Sequence, residues 1–194
     1  MGRTELELKG VVPDPAATRR ALLAAGGRLS FAGSLHDVRY DRNGEFTARD
    51  EVVRLRSYLP RAGMPRQQLG WKGPTRRSPE GFKEREEREL DTSGGDPASF
   101  LGALGFSEVH RIDRFIEMYD LAGGVARLEW YPRMDVLIEV EGEPAAIERI
   151  IRTTGLPREG FTSEALTAFT TRYDVRHPEG PSMIAQRNWK GPDR

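Results

Sequence analysis

The sequence contains no cysteine, which excludes disulfide bonds and thiolate metal sites. It has no run of about 18 apolar residues that could span a bilayer, and its first residues lack the apolar stretch of a secretion signal. It also lacks net charge, because 30 basic and 30 acidic side chains cancel, and this argues against a generally basic nucleic-acid-binding surface. We therefore expect a cytoplasmic protein that binds neither nucleic acid nor a membrane.

Turn-forming residues are abundant, with 21 glycines and 13 prolines among 194 residues. This composition favours a strand-rich fold with short helices, and the basic, Gly- and Pro-rich stretches 61–66 and 76–81 indicate loops. The length fits one domain, which we place at residues 1–175. Residues 176–194 contain few apolar side chains, so we expect them to form a loosely ordered C-terminal tail.

Four helices are predicted from signals at their ends. In an Asp-Pro pair, Asp can cap a helix and Pro fits its first turn, while Gly commonly ends one. The predicted helices run from Asp14-Pro15 to Gly26, from Asp96-Pro97 to Gly105, from about Pro144 to Gly155, and from Ser163 onward.

The two halves of the sequence follow the same order of strand, helix, strand, strand and strand. The strands alternate charged and apolar residues with period two, as in Glu5-Leu6-Glu7-Leu8-Lys9 and Val53-Arg54-Leu55-Arg56. The similarity of order could also arise by chance. If the two halves are equivalent, they supply two sets of four antiparallel strands, and eight strands close readily into a barrel. We therefore predict an α+β fold in which an eight-stranded antiparallel closed barrel forms a tunnel, with the helices packed outside.

The polar faces of these strands carry charged residues and few Ser or Thr. In an ordinary half-buried sheet each such face would meet water, and cross-strand salt bridges would contribute about 0.2 to 1 kcal/mol each. A closed barrel with its apolar faces outward would instead desolvate both signs of charge inside a tunnel. A polyphosphate with a divalent cation would neutralise them, because Arg and Lys bind phosphate oxygens and carboxylates bind a hard metal ion.

The charged motifs occur in a characteristic order. They are Glu5-x-Glu7-x-Lys9, His36-Asp37 with Tyr40-Asp41, Glu51-Val52-Val53-Arg54-Leu55-Arg56, Leu69-Gly70-Trp71-Lys72-Gly73-Pro74, Arg85-x-Glu87-x-Glu89, Arg127-x-Glu129 and Ile138-Glu139-Val140-Glu141. This order resembles that of the CYTH superfamily, the triphosphate tunnel metalloenzymes, over roughly residues 4–173. That superfamily includes thiamine triphosphatases, inorganic triphosphatases and class IV adenylate cyclases. Asp50-Glu51 and Lys72-Gly73-Pro74 look most like the class IV cyclase-like branch.

The resemblance implies a metal-dependent enzyme whose partner is a small-molecule triphosphate, with a homodimer left open. By this resemblance the ligands of Mg²⁺ or Mn²⁺ are Glu5, Glu7, Glu139 and Glu141, helped by Glu129 and Glu87. The triphosphate-binding residues are Lys9, Arg54, Arg56, Lys72, Arg85 and Arg114, and Lys9 is also catalytic. For Arg114, an exposed strand charge is the alternative interpretation. Such cations neutralise the charge that develops during phosphoryl transfer.

Two positions depart from the family pattern. Arg39 stands where the family usually has a tyrosine, which affects a Lys–Tyr pair proposed to activate water, and Ile112 stands where it often has a lysine. We expect hydrolysis of a nucleoside, thiamine or inorganic triphosphate. The alternative within the family is a class IV adenylate cyclase, which makes cyclic AMP and pyrophosphate from ATP. A third hypothesis, favoured by Arg39, is a non-catalytic polyphosphate or nucleotide sensor.

Overall fold

Five helices surround a barrel in the computed structural model, which describes residues 3–92 and 94–192. They are α1 (Pro15–Ala24), α2 (Glu45–Ala48), α3 (Pro97–Ala103), α4 (Pro144–Thr154) and α5 (Leu166–Arg176), with a single 3-10 turn at Arg158–Gly160. Asp14 and Asp96 cap α1 and α3 by accepting hydrogen bonds from the N–H groups of Ala17 at 2.9 Å and Ser99 at 3.0 Å. Gly155 ends α4 in the left-handed conformation, at a φ of 72°. Each of these helix-end predictions is confirmed.

Ten strands form one sheet, and neighbouring strands pair antiparallel within the described ranges. The strands are β1 (Arg3–Val11), β2 (Arg28–Asp41), β3 (Val52–Pro60), β4 (Arg66–Lys72), β5 (Arg76–Arg77), β6 (Lys83–Asp91), β7 (Ser107–Leu121), β8 (Gly124–Trp130), β9 (Leu137–Glu141) and β10 (Phe161–Thr162). Eight of them close into a barrel because β1 pairs with β9 on one side and with β6 on the other. The short strands β5 and β10 are additions at β6 and β1.

The order of strands around the barrel is symmetric under exchange of the two halves of the chain. The ring runs β1-β9-β8-β7-β2-β3-β4-β6 and back to β1. Replacing β1, β2, β3 and β4 by β6, β7, β8 and β9, and the reverse, gives the same ring read in the opposite direction. The prediction of an eight-stranded closed barrel built from two equivalent sets is therefore confirmed.

Four local features differ from the sequence predictions. Helix α2 was not predicted; it forms because the Asp41 carboxylate accepts hydrogen bonds from the N–H groups of Phe46 and Thr47. β5 lies where a loop was expected, and β10 was not predicted. α5 begins at Leu166 and not at Ser163, because the preceding residues Phe161–Thr162 are held extended by pairing with β1.

The main apolar core lies between the barrel wall and the helices α1 and α4. Leu22 of α1 and Ile147 and Ile150 of α4 are fully buried in one cluster with Leu8 of β1 and Val140 of β9. Side chains alternate between the two faces of a strand. Since the apolar residues of these strands face outward to the helices, the charged residues between them face the inside of the barrel.

Residues 177–192 run along the outside of the barrel. The carbonyl of Ile184 accepts a hydrogen bond from Asp113 N–H at 2.7 Å, and the Asp113 carboxylate accepts one from Gln186 N–H at 2.8 Å. Trp189 packs against the main core. The domain boundary after residue 175 and the loose order of the tail stay predictions.

Across residues 3–92 and 94–192, every helix is too short or too polar to serve as a membrane span.

Candidate functional site

The alternate residues of β3 separate into an inner and an outer set. Arg54 and Arg56 are only 8% and 6% exposed, and both line a cavity inside the barrel. Val53 and Leu55, on the opposite face of the same strand, do not line it. The alternation in the sequence predicted this orientation, because a strand of a closed barrel has one face toward the interior.

The cavity has a volume of about 240 Å³ and an excess of positive charge. All six residues predicted to bind a triphosphate line it, including Arg114, which is 6% exposed and therefore not an exposed strand charge. The nine cationic side chains are Lys9, Arg39, Arg54, Arg56, Lys72, Lys83, Arg85, Arg114 and Arg127, and the five acidic ones are Glu7, Asp37, Asp50, Glu139 and Glu164.

Asp37 is the acceptor for two of the buried arginines. Arg56 donates from Nε and Nη2 to its two carboxylate oxygens at 2.7 and 2.8 Å, and Arg114 donates to the second oxygen. Burial alone would raise the pKa of Asp37, but the charges of Arg56, Arg54 and Arg114 outweigh burial and hold the pKa well below its ordinary value. The carboxylate is therefore ionised, and it orients both guanidinium groups toward the cavity.

Glu129, a predicted metal ligand, is fully buried among cations. It accepts hydrogen bonds from Arg114 Nη1 at 2.8 Å, Arg127 Nε at 2.9 Å and the Tyr131 hydroxyl at 2.6 Å, and Lys9 Nζ lies 3.6 Å away. Burial opposes ionisation, but the charges of Arg114, Lys9 and Arg127 lower the pKa of Glu129 below its ordinary range. Its oxygens are thus already engaged by protein donors.

Glu139, a second predicted metal ligand, is engaged in the same way. Lys9 donates a hydrogen bond to it, and Arg127 forms an ion pair with it. Cations therefore lie on both Glu129 and Glu139, and neither belongs to the group formed by the three other predicted ligands. Arg127 also reaches one of those three, Glu141, at 3.3 Å.

Those three other ligands, Glu5, Glu7 and Glu141, come together. Each has a carboxylate oxygen within 4.8 Å of the others, which is close enough to share one metal ion. Glu7 lines the cationic cavity, whereas Glu5 and Glu141 line a second cavity of about 520 Å³, so the group lies between the two. Burial raises the pKa of Glu141, and the charges of Glu5 and Glu7 raise it further, against the opposing charge of Arg127, which forms an ion pair with Glu141 at 3.3 Å. Three oxygen donors whose negative charges repel one another fit a hard divalent cation.

Two lysines neutralise part of this carboxylate group. Lys72 Nζ donates to Glu5 at 2.7 Å and also pairs with Glu87, while Lys83 donates to Glu7. Burial would raise the pKa of Glu7, but the charges of Lys83, Lys9 and Lys72 hold it below the ordinary value. The lysines therefore occupy positions from which a metal ion would displace them.

Arg85 and Arg54 are held less completely by carboxylates. Arg85 donates from Nε to the carbonyl of Gly73 at 2.6 Å and from Nη2 to the carbonyl of Asp50. Arg54 donates from Nη2 to Glu89 at 3.2 Å, but its Nε has no hydrogen-bond partner and lies 4.0 Å from Asp37. Both guanidinium groups keep donors available to an anion in the cavity.

The sequence predicted no binding or catalytic role for Lys83, Arg127, Asp37 or Tyr131, although Arg127 and Asp37 both belong to its charged motifs. Lys83 and Arg127 could have been found by spacing. Lys83 stands two residues before Arg85 and Arg127 two residues before Glu129, and both Arg85 and Glu129 were predicted site residues. Tyr131 and Asp37 have the same two-residue spacing, from Glu129 and from Arg39, but their hydrogen bonds depend on which strand lies opposite, which the spacing does not give. The two departures from the family pattern, Arg39 and Ile112, both line the cavity.

Most of the buried charges are paired with one another. The ion pairs cross from strand to strand, as in Arg56–Asp37, Arg114–Glu129 and Lys72–Glu5. The sequence argument that such a cluster requires a ligand was therefore too strong, because cross-strand ion pairs account for much of it. The excess that remains is cationic and faces the cavity.

Comparison with known proteins identifies relatives by structure alone, since no protein-family model and no curated sequence matches the chain. A protein from Pyrococcus horikoshii superposes with a TM-score of 0.69 over 84% of this chain and 96% of its own, at 25% identity. A candidate adenylate cyclase from Vibrio parahaemolyticus superposes with a TM-score of 0.70 over 88% of this chain and 99% of its own, at 15% identity.

A third similar structure is a candidate adenylyl cyclase from Hippeastrum that is described as having a dominant triphosphatase activity. It superposes with a TM-score of 0.59 over 89% of this chain and 96% of its own, at 18% identity. These likenesses extend over almost the whole of each neighbour, so they concern the entire barrel and not a shared fragment. The chain therefore shares the fold of these structures, and in this chain that fold is a closed eight-stranded barrel, as the sequence predicted.

Proposed function

We propose that the barrel binds a triphosphate together with Mg²⁺ or Mn²⁺ and hydrolyses it. The observation that carries this proposal is the charge of the cavity, where nine cationic side chains face five acidic ones, and one of the five, Glu7, belongs to the group of three carboxylates. Tripolyphosphate carries about four negative charges near neutral pH. A triphosphate would match the cationic excess, and its metal ion would match the carboxylates.

The proposed division of labour follows from where the cations and carboxylates lie. The triphosphate-binding residues are Lys9, Arg54, Arg56, Lys72, Arg85 and Arg114, to which the structure adds Lys83 as a candidate. Glu5, Glu7 and Glu141 would hold the metal ion, and Glu129 and Glu139 would orient Lys9, Arg114 and Arg127. When bound, the metal supplies Lewis-acid polarisation of phosphoryl oxygens.

Lys9 is the proposed catalytic residue. Its ammonium group lies between Glu139 and Glu129 and lines the cavity, so it can donate to a phosphoryl oxygen as negative charge develops there. In hydrolysis, a water oxygen forms a bond to the terminal phosphorus while the bond from that phosphorus to the bridging oxygen breaks. The bridging oxygen leaves on the remaining diphosphate, and the water protons pass to solvent.

Adenylate cyclase activity is the second candidate, because two of the similar structures are named as candidate cyclases. In that reaction the ribose 3′-hydroxyl would attack the α-phosphate and pyrophosphate would leave. The cavity of about 240 Å³ favours a compact substrate, since pockets for drug-sized ligands are usually about 300 to 1,000 Å³.

The cytoplasmic location stays a prediction.

The test incubates the purified protein with tripolyphosphate, thiamine triphosphate and ATP, each with Mg²⁺, with Mn²⁺ or with a chelator. Phosphorus NMR follows phosphate release, and chromatography follows cyclic AMP. We expect metal-dependent phosphate release that is lost in Lys9→Met and kept in the control Lys190→Met, whose lysine is exposed on the tail. Cyclic AMP from ATP would instead identify a cyclase. Binding without any product would identify a sensor.

A further inference from the structure

Arg39 is an unpaired cation in the wall of the cavity. It lies on β2, lines the cavity and is half-buried. Within residues 3–92 and 94–192 it has neither a hydrogen bond nor an ion pair, unlike Arg56 and Arg114. The nearest inward carboxylate on its own strand, Asp37, is already occupied by those two arginines.

The charge directly opposite Arg39 is another arginine. Arg39 and Arg54 are Cα partners in the β2–β3 register, so their side chains stand next to each other on the inner face. Like charges in this position are destabilising in a sheet. Burial lowers the pKa of Arg39; the charge of Asp37 opposes this, and the charges of Arg54, Arg114 and Arg85 lower the pKa further.

Arg54 also lacks part of its hydrogen bonding on this side. Its side chain is 9% exposed, and its Nε is buried with no partner. Two adjacent guanidinium groups with unused donors form an arrangement that suits one phosphate group, because the planar fork of arginine matches phosphate oxygens.

We propose that Arg39 is a specificity-determining residue that, with Arg54, binds the end phosphate of tripolyphosphate that corresponds to the esterified α-phosphate of ATP, and so favours inorganic tripolyphosphate over ATP. This inference rests on the proposed triphosphate binding. An unesterified terminal phosphate has a second ionisation and one more non-bridging oxygen, so near neutral pH it carries more negative charge than a phosphate that is esterified at the same position, which carries about one. Tripolyphosphate has an unesterified group at both ends, and ATP has one at a single end. A cavity of about 240 Å³ also suits the smaller anion.

The experiment compares Arg39→Gln with the parent and with Arg28→Gln, which removes an exposed arginine from the same strand. Calorimetry with Mg²⁺ measures binding of the bis-methylene analogues of tripolyphosphate and of ATP, whose P–C–P bridges resist hydrolysis. We expect Arg39→Gln to bind the tripolyphosphate analogue about tenfold or more weakly and the ATP analogue less than about threefold more weakly. Arg28→Gln should match the parent for both.

A second measurement gives a signature that a merely structural role would not produce. Without ligand, Arg39→Gln should melt at a higher temperature than the parent, because the repulsion with Arg54 is relieved, yet the tripolyphosphate analogue should stabilise it less. Equal weakening for both analogues, or none, overturns the assignment of Arg39 while the proposed function stands. If the parent binds neither analogue, both the assignment and the proposed function are wrong.

Discussion

The guanidinium of Arg56 is fixed in the tunnel by two hydrogen bonds to Asp37, at 2.7 and 2.8 Å. This pairing raises the pKa of Arg56 well above its ordinary value against the effect of burial, so the group stays charged. A charged hydrogen bond contributes about 1.5 to 3 kcal/mol, and about 1.4 kcal/mol corresponds to a tenfold change in affinity. Arg56→Ala should therefore weaken tripolyphosphate binding about ten- to a hundredfold.

Calorimetric titration checks this expectation, with Arg20→Ala as the control. Arg20 is exposed on α1. Its neighbour Arg19 is unsuitable, because its Nε donates to buried Glu117 at 2.8 Å and its removal would disturb the core. If Arg56→Ala binds within twofold of the parent, Arg56 does not bind phosphate.

The carboxylate group gives a second prediction at the scale of single residues. Glu7→Gln keeps the shape of the side chain but removes one of three converging charges, so Mn²⁺ affinity should fall by about tenfold or more. Electron paramagnetic resonance of free Mn²⁺ measures this without any assay of activity. Glu86→Gln is the control, since Glu86 is exposed and pairs with Arg88. Equal Mn²⁺ binding by Glu7→Gln and the parent would remove Glu7 from the proposed ligands.

Single residues also mark the limit of what the sequence predicts about the site. Period-two alternation identifies which side chains face inward, and it would have identified Lys83 had it been applied to all of β6. It does not say that Lys9 pairs with Glu139 or that Asp37 receives two arginines. Those pairings depend on the register between strands, which the hydrophobic pattern of one strand leaves open.

At the scale of elements, residues adjacent in the sequence were sufficient to predict those helices that have a side-chain cap of their own. The Asp-Pro pairs predicted α1 and α3 because both the cap and the first turn are adjacent in sequence. Helix α2 has only four residues and no side-chain cap of its own. It is held from outside by Asp41 at the end of β2, which accepts hydrogen bonds from the N–H groups of Phe46 and Thr47 and from the Thr47 hydroxyl.

Asp41 gives the third prediction, a pH dependence. Hydrogen bonds from the Thr47 hydroxyl and from the backbone of Thr47, Phe46 and Arg42 lower the pKa of Asp41 from an ordinary 3.8 to about 2, with burial opposing them. Because the pKa is lower in the folded state, its stabilising effect is complete above about pH 4 and is lost as the pH falls toward 2.

The test measures thermal melting of the parent and of Asp41→Asn, a neutral side chain of the same shape, from pH 7 down to pH 2. The variant should melt at a lower temperature at pH 7, and the difference should shrink between pH 4 and pH 2. Asp120→Asn removes a half-exposed acid that pairs with Arg28, and it controls for the loss of a charge. A difference that stays constant down to pH 2 would contradict the role of the Asp41 charge.

For the molecule as a whole, the repeated strand order predicted the closed barrel, and the alternation predicted a charged interior. What the sequence did not reveal is that this interior neutralises much of its own charge, with Lys72 on Glu5 and Lys83 on Glu7. A metal ion alone would have to displace these lysines, and a triphosphate alone would have to draw them from their carboxylates. If metal and triphosphate bind together, the metal ion takes the place of the lysines on the carboxylates and the triphosphate takes the place of the carboxylates on the lysines.

Metal and triphosphate should therefore bind with positive coupling, which is the fourth prediction. We expect Mg²⁺ to raise the affinity for the bis-methylene tripolyphosphate analogue by a factor within the usual range of about 5 to 150. The analogue should raise the affinity for Mg²⁺ by the same factor, because coupling of binding free energies is reciprocal. Calorimetric titrations at constant ionic strength, corrected for the complex of the analogue with Mg²⁺ in solution, measure both. Independent binding would show that the lysine–carboxylate pairs do not rearrange.

The position of β1 between β9 and β6 also governs how the chain reaches its folded state. Lys9 on β1 donates a hydrogen bond to Glu139 on the neighbouring strand β9, although 130 residues separate them in the sequence. During synthesis, β1 must wait for β9 to leave the ribosome, and until then the unpaired edges of the sheet are open to other chains. Contacts between residues so far apart in the sequence also slow folding, because a long loop must close before they form. We therefore expect slow folding in which the barrel closes late, and we expect incomplete nascent chains to be prone to aggregation.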